Sequence, residues 1–205
     1  MRQASVYPGG VMVFMEGDEP RGVYCICFGR VKLSTSSSDG RTIIVDIAGP
    51  GDIIGIRALL SGKSHDLTAE TLEPTQLCFI RKDGFLGFLS RNGDVTLRLA
   101  QKLSDDLHEA YRGVRDVALK RSSERLAELL LRFCQTHGVV TPEGIQLRIN
   151  LSLDELAEMI GTSRRTLTRV LTKFQDLKII ECQRRSITVR NRTALENSLR
   201  PENLF

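Results

Sequence analysis

The sequence predicts an α+β chain in three parts. A β-rich domain over residues 1–92 leads into a long helix and hinge over 93–121, and a winged helix-turn-helix domain over 122–205 ends the chain. Three observations predict this. Glycines punctuate the first ninety residues at short intervals. A proline-free stretch follows, in which small and apolar residues recur at alternating steps of four and three. Two short helical patterns then stand back to back in LSLDELAEMIGTSRRTLTRVL, joined by Gly161-Thr162-Ser163.

The β-rich part is marked by Gly9-Gly10, Gly17, Gly22, Gly29, Gly40, Gly49-Pro50-Gly51, Gly55 and Gly62. Between them lie VMVFM, VYCICF, RVKLST, RTIIVDI, LTAETL and QLCFI. Short β-branched and aromatic runs separated by turn signals predict an antiparallel sandwich, roll or barrel. Asp39-Gly40 within SSSDGRT is a hairpin tip. Cys25 and Cys27 lie two apart on one of these runs, so they are expected on one face. Two readings are open for them: a redox or metal pair, or small buried apolar side chains. Cys78 falls on another strand, while Cys134 and Cys182 read as structural. An odd count of five cysteines, without any Cys-x-x-Cys, gives no disulfide framework.

From about Asp94 to Lys120, Thr96, Ala100, Leu103, Leu107, Ala110, Val114 and Val117 trace a heptad seam. Such a helix packs either on its own sheet or against a second copy of the chain. The narrow stripe and its charged flanks favour a parallel coiled coil, with Ala100, Leu103, Leu107, Ala110, Val114 and Val117 at a homodimer interface. Arg121-Ser122-Ser123 interrupts the pattern, and either serine can cap the next helix, ERLAELLLRFCQTHG.

The paired helices carry their own punctuation. Ser152 and Glu155 form a capping box. Leu156, Met159 and Ile160 make one apolar face, and Gly161 ends the helix. Ser163 caps the next, whose Leu167, Val170 and Leu171 face inward. This is a helix-turn-helix pattern, with the second helix free to enter a DNA major groove. Its outer face holds Arg164, Arg165, Thr168 and Arg169. Arginine forks onto guanine edges, and Ser163 with the helix N-terminus can hold phosphate. Arg184 and Arg185 occupy the tip of a following hairpin, placed to touch backbone phosphate. Charge agrees with this. Residues 1–120 hold 15 basic and 15 acidic side chains, residues 121–205 hold 14 and 10, and the whole net +4 therefore lies in the C-terminal part.

FGRVKL, SSSDGRTIIVDIAGPGDIIG and LAEMIGTSRRTLTRVLTKFQDLKII together resemble the CRP/FNR superfamily of winged-helix transcription regulators over nearly the whole chain. The resemblance implies a cyclic-nucleotide-binding-like β-roll as effector domain, a dimerisation helix, and a homodimer on near-palindromic double-stranded DNA. It implies base contacts by Arg164 and Arg169. It also implies RNA polymerase as a partner where the regulator activates, although no sequence patch for it stands out. Arg165 departs from the glutamate common in the family. The effector pocket departs further. Where cyclic-AMP-binding members carry glutamate after the glycine of GDIIG and an Arg-Ser pair some ten residues on, this chain has Ile56 after Gly55, then His65 and Asp66. Asp66 repels phosphate, so cyclic AMP is not expected to bind. The effector, and any cofactor, is unidentified. Haem-sensing members make His65 and His108 worth noting; His137 reads as a helix C-terminal residue.

The remaining function classes are weaker. A redox or small-molecule sensor working mainly through protein contacts is the alternative. No nucleophile–base–orienter set, metal-ligand spacing or phosphate-cradling loop points to an enzyme. MRQASVYPGG lacks a secretory apolar stretch and no run reaches the ~18 residues of a membrane span, so a cytoplasmic location is expected.

Overall fold

The glycine-separated runs fold as eight short strands in two antiparallel sheets. The computed structural model describes residues 2–136, 138–147, 151–183 and 186–199, and the chain divides into two compact units, Met1–Leu107 and His108–Phe205. The first unit contains β1 (Arg2–Tyr7), β2 (Met12–Phe14), β3 (Gly22–Phe28), β4 (Val31–Ser36), β5 (Thr42–Ala48), β6 (Ile53–Ile54), α1 (Ile56–Ser61), β7 (Thr68–Thr71), β8 (Thr75–Arg81) and α2 (Lys82–Arg91). Its sheets run β1-β8-β3-β6 and β2-β7-β4-β5.

Strand alternation sorts the side chains of β3 onto two cores. Ile26 joins Leu77, Ile54, Phe14, Val31, Ala48 and Ala69 in a cluster drawn from both sheets. Val23, on the opposite face, packs with Ile56 and Leu59 of α1 and Phe85 and Leu89 of α2. The register slips between Ile26 and Phe28, and Cys27 and Phe28 are both exposed beyond it. Cys25 is half-buried and Cys27 exposed, so the two thiols sit in different surroundings.

The glycines have distinct duties. Gly29 turns the chain from β3 to β4 at φ 85°, and a Cβ there would lie 2.4 Å from Thr75 Oγ1. Thr75 is fully buried, and its hydroxyl donates to the carbonyls of Glu73 and Arg30. Gly40, at the hairpin tip, has φ 82° but open space around it.

A 27-residue helix, α3 (Gly93–Leu119), follows. At ~1.5 Å per residue it is about 40 Å long. None of its residues is buried, and the boundary between the compact units falls inside it rather than at its ends. The second unit continues with α4 (Ser122–Thr136), β9 (Gly138–Thr141), β10 (Gly144–Leu147), α5 (Leu153–Met159), α6 (Arg164–Asp176), β11 (Ile180–Gln183), β12 (Ser186–Val189) and α7 (Arg192–Asn197). The last four strands form one antiparallel sheet, β11-β12-β10-β9. One core unites the unit. Leu126, Leu130 and Phe133 of α4 meet Leu156 and Ala157 of α5, and Leu167, Leu171 and Phe174 of α6, with Leu147, Ile180 and Val189 from the sheet.

These two glycines make a paired test. Gly29→Ala combines a left-handed backbone with a collision against a pinned, buried side chain, and is expected to cost about 2–3 kcal/mol. Gly40→Ala meets only the backbone penalty, about 1 kcal/mol. Chemical denaturation of both variants measures the difference; equal losses would contradict the role given to Thr75.

Candidate nucleic-acid interface and effector pocket

Helix α5 begins as its sequence dictates. The Ser152 hydroxyl accepts from the Glu155 amide at 3.2 Å, and Glu155 Oε2 accepts from the Ser152 amide at 2.9 Å. The chain then turns through Gly161 at φ 59°, a left-handed value that glycine adopts without strain. Ser163 caps α6 by accepting from the Thr166 amide at 3.3 Å.

Burial fixes what α6 presents. Leu167 and Phe174 are fully buried, Val170 and Leu171 nearly so. Arg164, Arg165, Thr168 and Arg169 are exposed. The Thr168 hydroxyl donates to the Arg164 carbonyl at 2.9 Å, which turns its oxygen back to the helix. Arg164 has a partner that the sequence reading missed: its Nη1 lies 2.8 Å from Oδ2 of Asp154, in the first turn of α5. Both side chains are more than half exposed, so the pair adds less than about 1 kcal/mol to stability. Its effect is on aim. It holds the first arginine of α6 toward the turn, and it places a carboxylate beside a surface otherwise suited to phosphate. Arg184 and Arg185 lie outside the described residues.

The effector-pocket residues in the first unit do not converge on a phosphate site. Gly55 caps α1 at φ 82°, and a Cβ there would lie 3.1 Å from His65 Cε1. The missing Cβ gives the imidazole room. His65 is only 6% exposed and stacks on Phe14, ring centroids 3.8 Å apart and 15° from parallel. Its backbone is pinned on both sides, donating to the Asp18 carbonyl and accepting from the Gly17 amide. Ile56 is buried in the cluster with α2. Asp66 is exposed and pairs with Arg57 at 3.3 Å. Burial pushes the His65 imidazole below its ordinary range, against the opposing pull of Asp18 and Asp66.

Four of the five cysteines, Cys25, Cys78, Cys134 and Cys182, are half-buried, and Cys27 is exposed. Cys25 faces Cys78 across β3 and β8. The Ile26 amide and carbonyl bond Asp52 and Gly51 on the far side of β3, so those of Cys25 point to β8. In such a hydrogen-bonded pair the Cβ atoms stand about 5.5 Å apart, wider than the roughly 3.5–4.5 Å of a disulfide. Burial raises the thiol pKa of Cys134 and of Cys182, which lowers their thiolate content. Among the described residues no group of three or more His, Cys, Asp or Glu side chains is placed to hold a metal. His108 is exposed on α3, and His137 lies outside the described residues.

The exposed apolar stripe of α3 holds most of the predicted seam. Leu97, Leu107, Tyr111 and Val114 are each more than half exposed. Of the predicted seam, Ala100, Leu107, Ala110, Val114 and Val117 are exposed, and Leu97 and Tyr111 extend the apolar surface beside them. Leu103 is half-buried against the α1–α2 cluster of its own unit. Val117 stands beside the turn at Gly161, 3.7 Å from where a Cβ would be.

Comparison with known proteins gives a consistent result. The family profile for the cyclic nucleotide-binding domain matches residues 5–92, and that for the Crp-like helix-turn-helix domain matches residues 124–198. The chain is 30% identical to the global nitrogen regulator of Synechocystis sp. over 185 residues, 89% of this chain and 82% of that protein. It is 26% identical to the CRP-like cAMP-activated global transcriptional regulator of Mycobacterium tuberculosis, with 89% and 82% covered. The structure of FixK2 from Bradyrhizobium japonicum superposes with a TM-score of 0.84 over 96% of each chain, at 23% identity. No helix among the described residues is long and apolar enough to cross a membrane.

Two predictions arise from this geometry. Asp154→Asn removes a negative charge from the interface and releases Arg164. Affinity for non-specific duplex should rise by about two- to fivefold, while discrimination against mismatched bases falls; fluorescence anisotropy with matched and random duplexes reads both. Separately, a buried imidazole with a depressed pKa binds protons less readily than the unfolded chain does. Its contribution is complete above about pH 6.5 and is lost as pH falls through the folded value. Thermal melts between pH 8 and 5 should show this acid-side loss, and it should be smaller in His65→Gln.

Proposed function

From a chain that belongs to the CRP/FNR family of transcription regulators, we propose a dimeric, sequence-specific regulator in which α6 reads base edges in the major groove. The observation that carries the reading is the division of α6 itself. Its apolar face is consumed by the core, and its arginine face is left to solvent. Arg169, one turn beyond the helix start, is the base-reading residue of choice, with Arg164 aimed by Asp154. Arg165 cannot accept from cytosine as a glutamate would, and selects guanine or phosphate instead. Ser163 and the α6 N-terminus hold backbone phosphate. Arg184 and Arg185 add phosphate contacts from the wing.

The second copy docks along the exposed stripe of α3, through Ala100, Leu107, Ala110, Val114 and Val117, with Leu97 and Tyr111 beside them. A helix with large apolar side chains exposed at heptad spacing is matched by its own symmetry mate. Twofold pairing sets the two α6 helices about 34 Å apart, one turn of DNA. The β-roll receives the controlling signal, and cyclic AMP is not that signal. His65 lies where a phosphate-binding arginine would be needed, stacked on Phe14, and Ile56 replaces the ribose-binding glutamate. The regulator works in the cytoplasm and, where it activates, meets RNA polymerase.

Selection of bound fragments from random duplex DNA tests this directly. An inverted repeat is expected, with enrichment unaffected by cyclic AMP. Arg169→Ala should relax one position in each half-site by about 1–3 kcal/mol. Enrichment of a single asymmetric motif, or of none, would contradict the proposal.

A further inference from the structure

One side chain of the second unit joins three helix ends. Arg125 lies in the first turn of α4, half-buried. Its Nε donates to the Ile160 carbonyl at 2.7 Å, and Nη2 donates to the Gly161 carbonyl at 3.3 Å. Both acceptors belong to the turn between α5 and α6. Nη1 donates to the Lys120 carbonyl at 2.6 Å and the Val117 carbonyl at 3.4 Å, at the end of α3. The last carbonyls of a helix have no partner within it and carry the negative end of its dipole. Here the free carbonyls at the ends of α3 and of α5 share one guanidinium, whose rigid fork serves several acceptors at once.

Neighbouring contacts reinforce the same joint. Val117 stands against Gly161, and the hydroxyls of Ser122 and Thr162 are 3.4 Å apart. Lys120 bridges Asp116 of α3 and Glu128 of α4, and Arg112 reaches Glu128 at 3.8 Å. The 120–122 segment therefore does not act as a loose tether. It is closed by charge-assisted bonds across it.

We infer that Arg125 is a positioning residue: it fixes the turn that precedes α6 against the last turn of α3, and so sets the separation and angle of the two recognition helices in the dimer. This rests on the dimeric DNA-binding reading above. Arg125 touches no DNA in this account. Its role is to make the two α6 helices engage two half-sites at once. Linking two binding modules raises affinity by roughly 10²–10⁴ only where the geometry lets both engage.

The test compares a full palindromic site with a single half-site, using Arg125→Gln and Arg125→Lys in the full chain. Arg125→Gln loses the fork and the charge; Arg125→Lys keeps the charge but cannot serve all four carbonyls. Half-site affinity should stay within about twofold in both variants, since α6 and its core are untouched. The full-site advantage should fall by about tenfold or more in Arg125→Gln, and by less in Arg125→Lys. Thermal melts establish that each variant is folded; if Arg125→Gln is not, Arg125→Lys carries the comparison. An unchanged full-site advantage in a folded variant would overturn the inference. So would equal losses on full site and half-site, because those describe a merely structural side chain. A parent protein without any full-site advantage would instead contradict the dimeric reading itself.

Discussion

The fixed point of the DNA-binding unit is the buried stripe of α6. Leu167 and Phe174 are fully inside the core, against α4 and α5. Each of those side chains contributes on the order of 1.5–3 kcal/mol by leaving water. Rotating α6 about its axis would exchange them for Arg165 and Arg169, whose charge cannot be buried without a partner. One rotation is therefore far below the others in free energy, and it presents the arginines to solvent. The capping serines at 152 and 163 and the left-handed Gly161 set the lengths of the two helices and the turn between them. The DNA-facing surface follows from core packing and local backbone chemistry.

How much of this could be read from the residues depended on range. Both serine caps and the glycine turn are local, with partners within four positions, and the inward leucines follow from helical spacing alone; the sequence placed them correctly. Asp154–Arg164 spans ten residues and two helices; an acidic residue in a first turn reads simply as a favourable dipole contact. Arg125 carries no signal in the sequence, because its four acceptors are backbone carbonyls that no side-chain pattern announces. Phe14 and His65 are fifty residues apart, and their stacking depends on how the roll closes. On α3 the predicted seam is left exposed except at Leu103, which packs on α1 and α2.

The two units also handle polar groups differently. In the β-roll, His65 occupies a position where charge would be costly, stacked on an aromatic ring and enclosed by backbone hydrogen bonds. In the second unit, guanidinium groups either bridge helix ends, as Arg125 does, or face outward, as Arg165 and Arg169 do.

The central claim is that paired copies of α6 meet one duplex a helical turn apart. Hydroxyl-radical footprinting of the parent protein on its selected site measures this most directly. The account predicts two protected tracts on one face of the duplex, with centres about 10 base pairs apart, filled together as protein is added. A single tract, or two tracts on opposite faces of the helix, would contradict it.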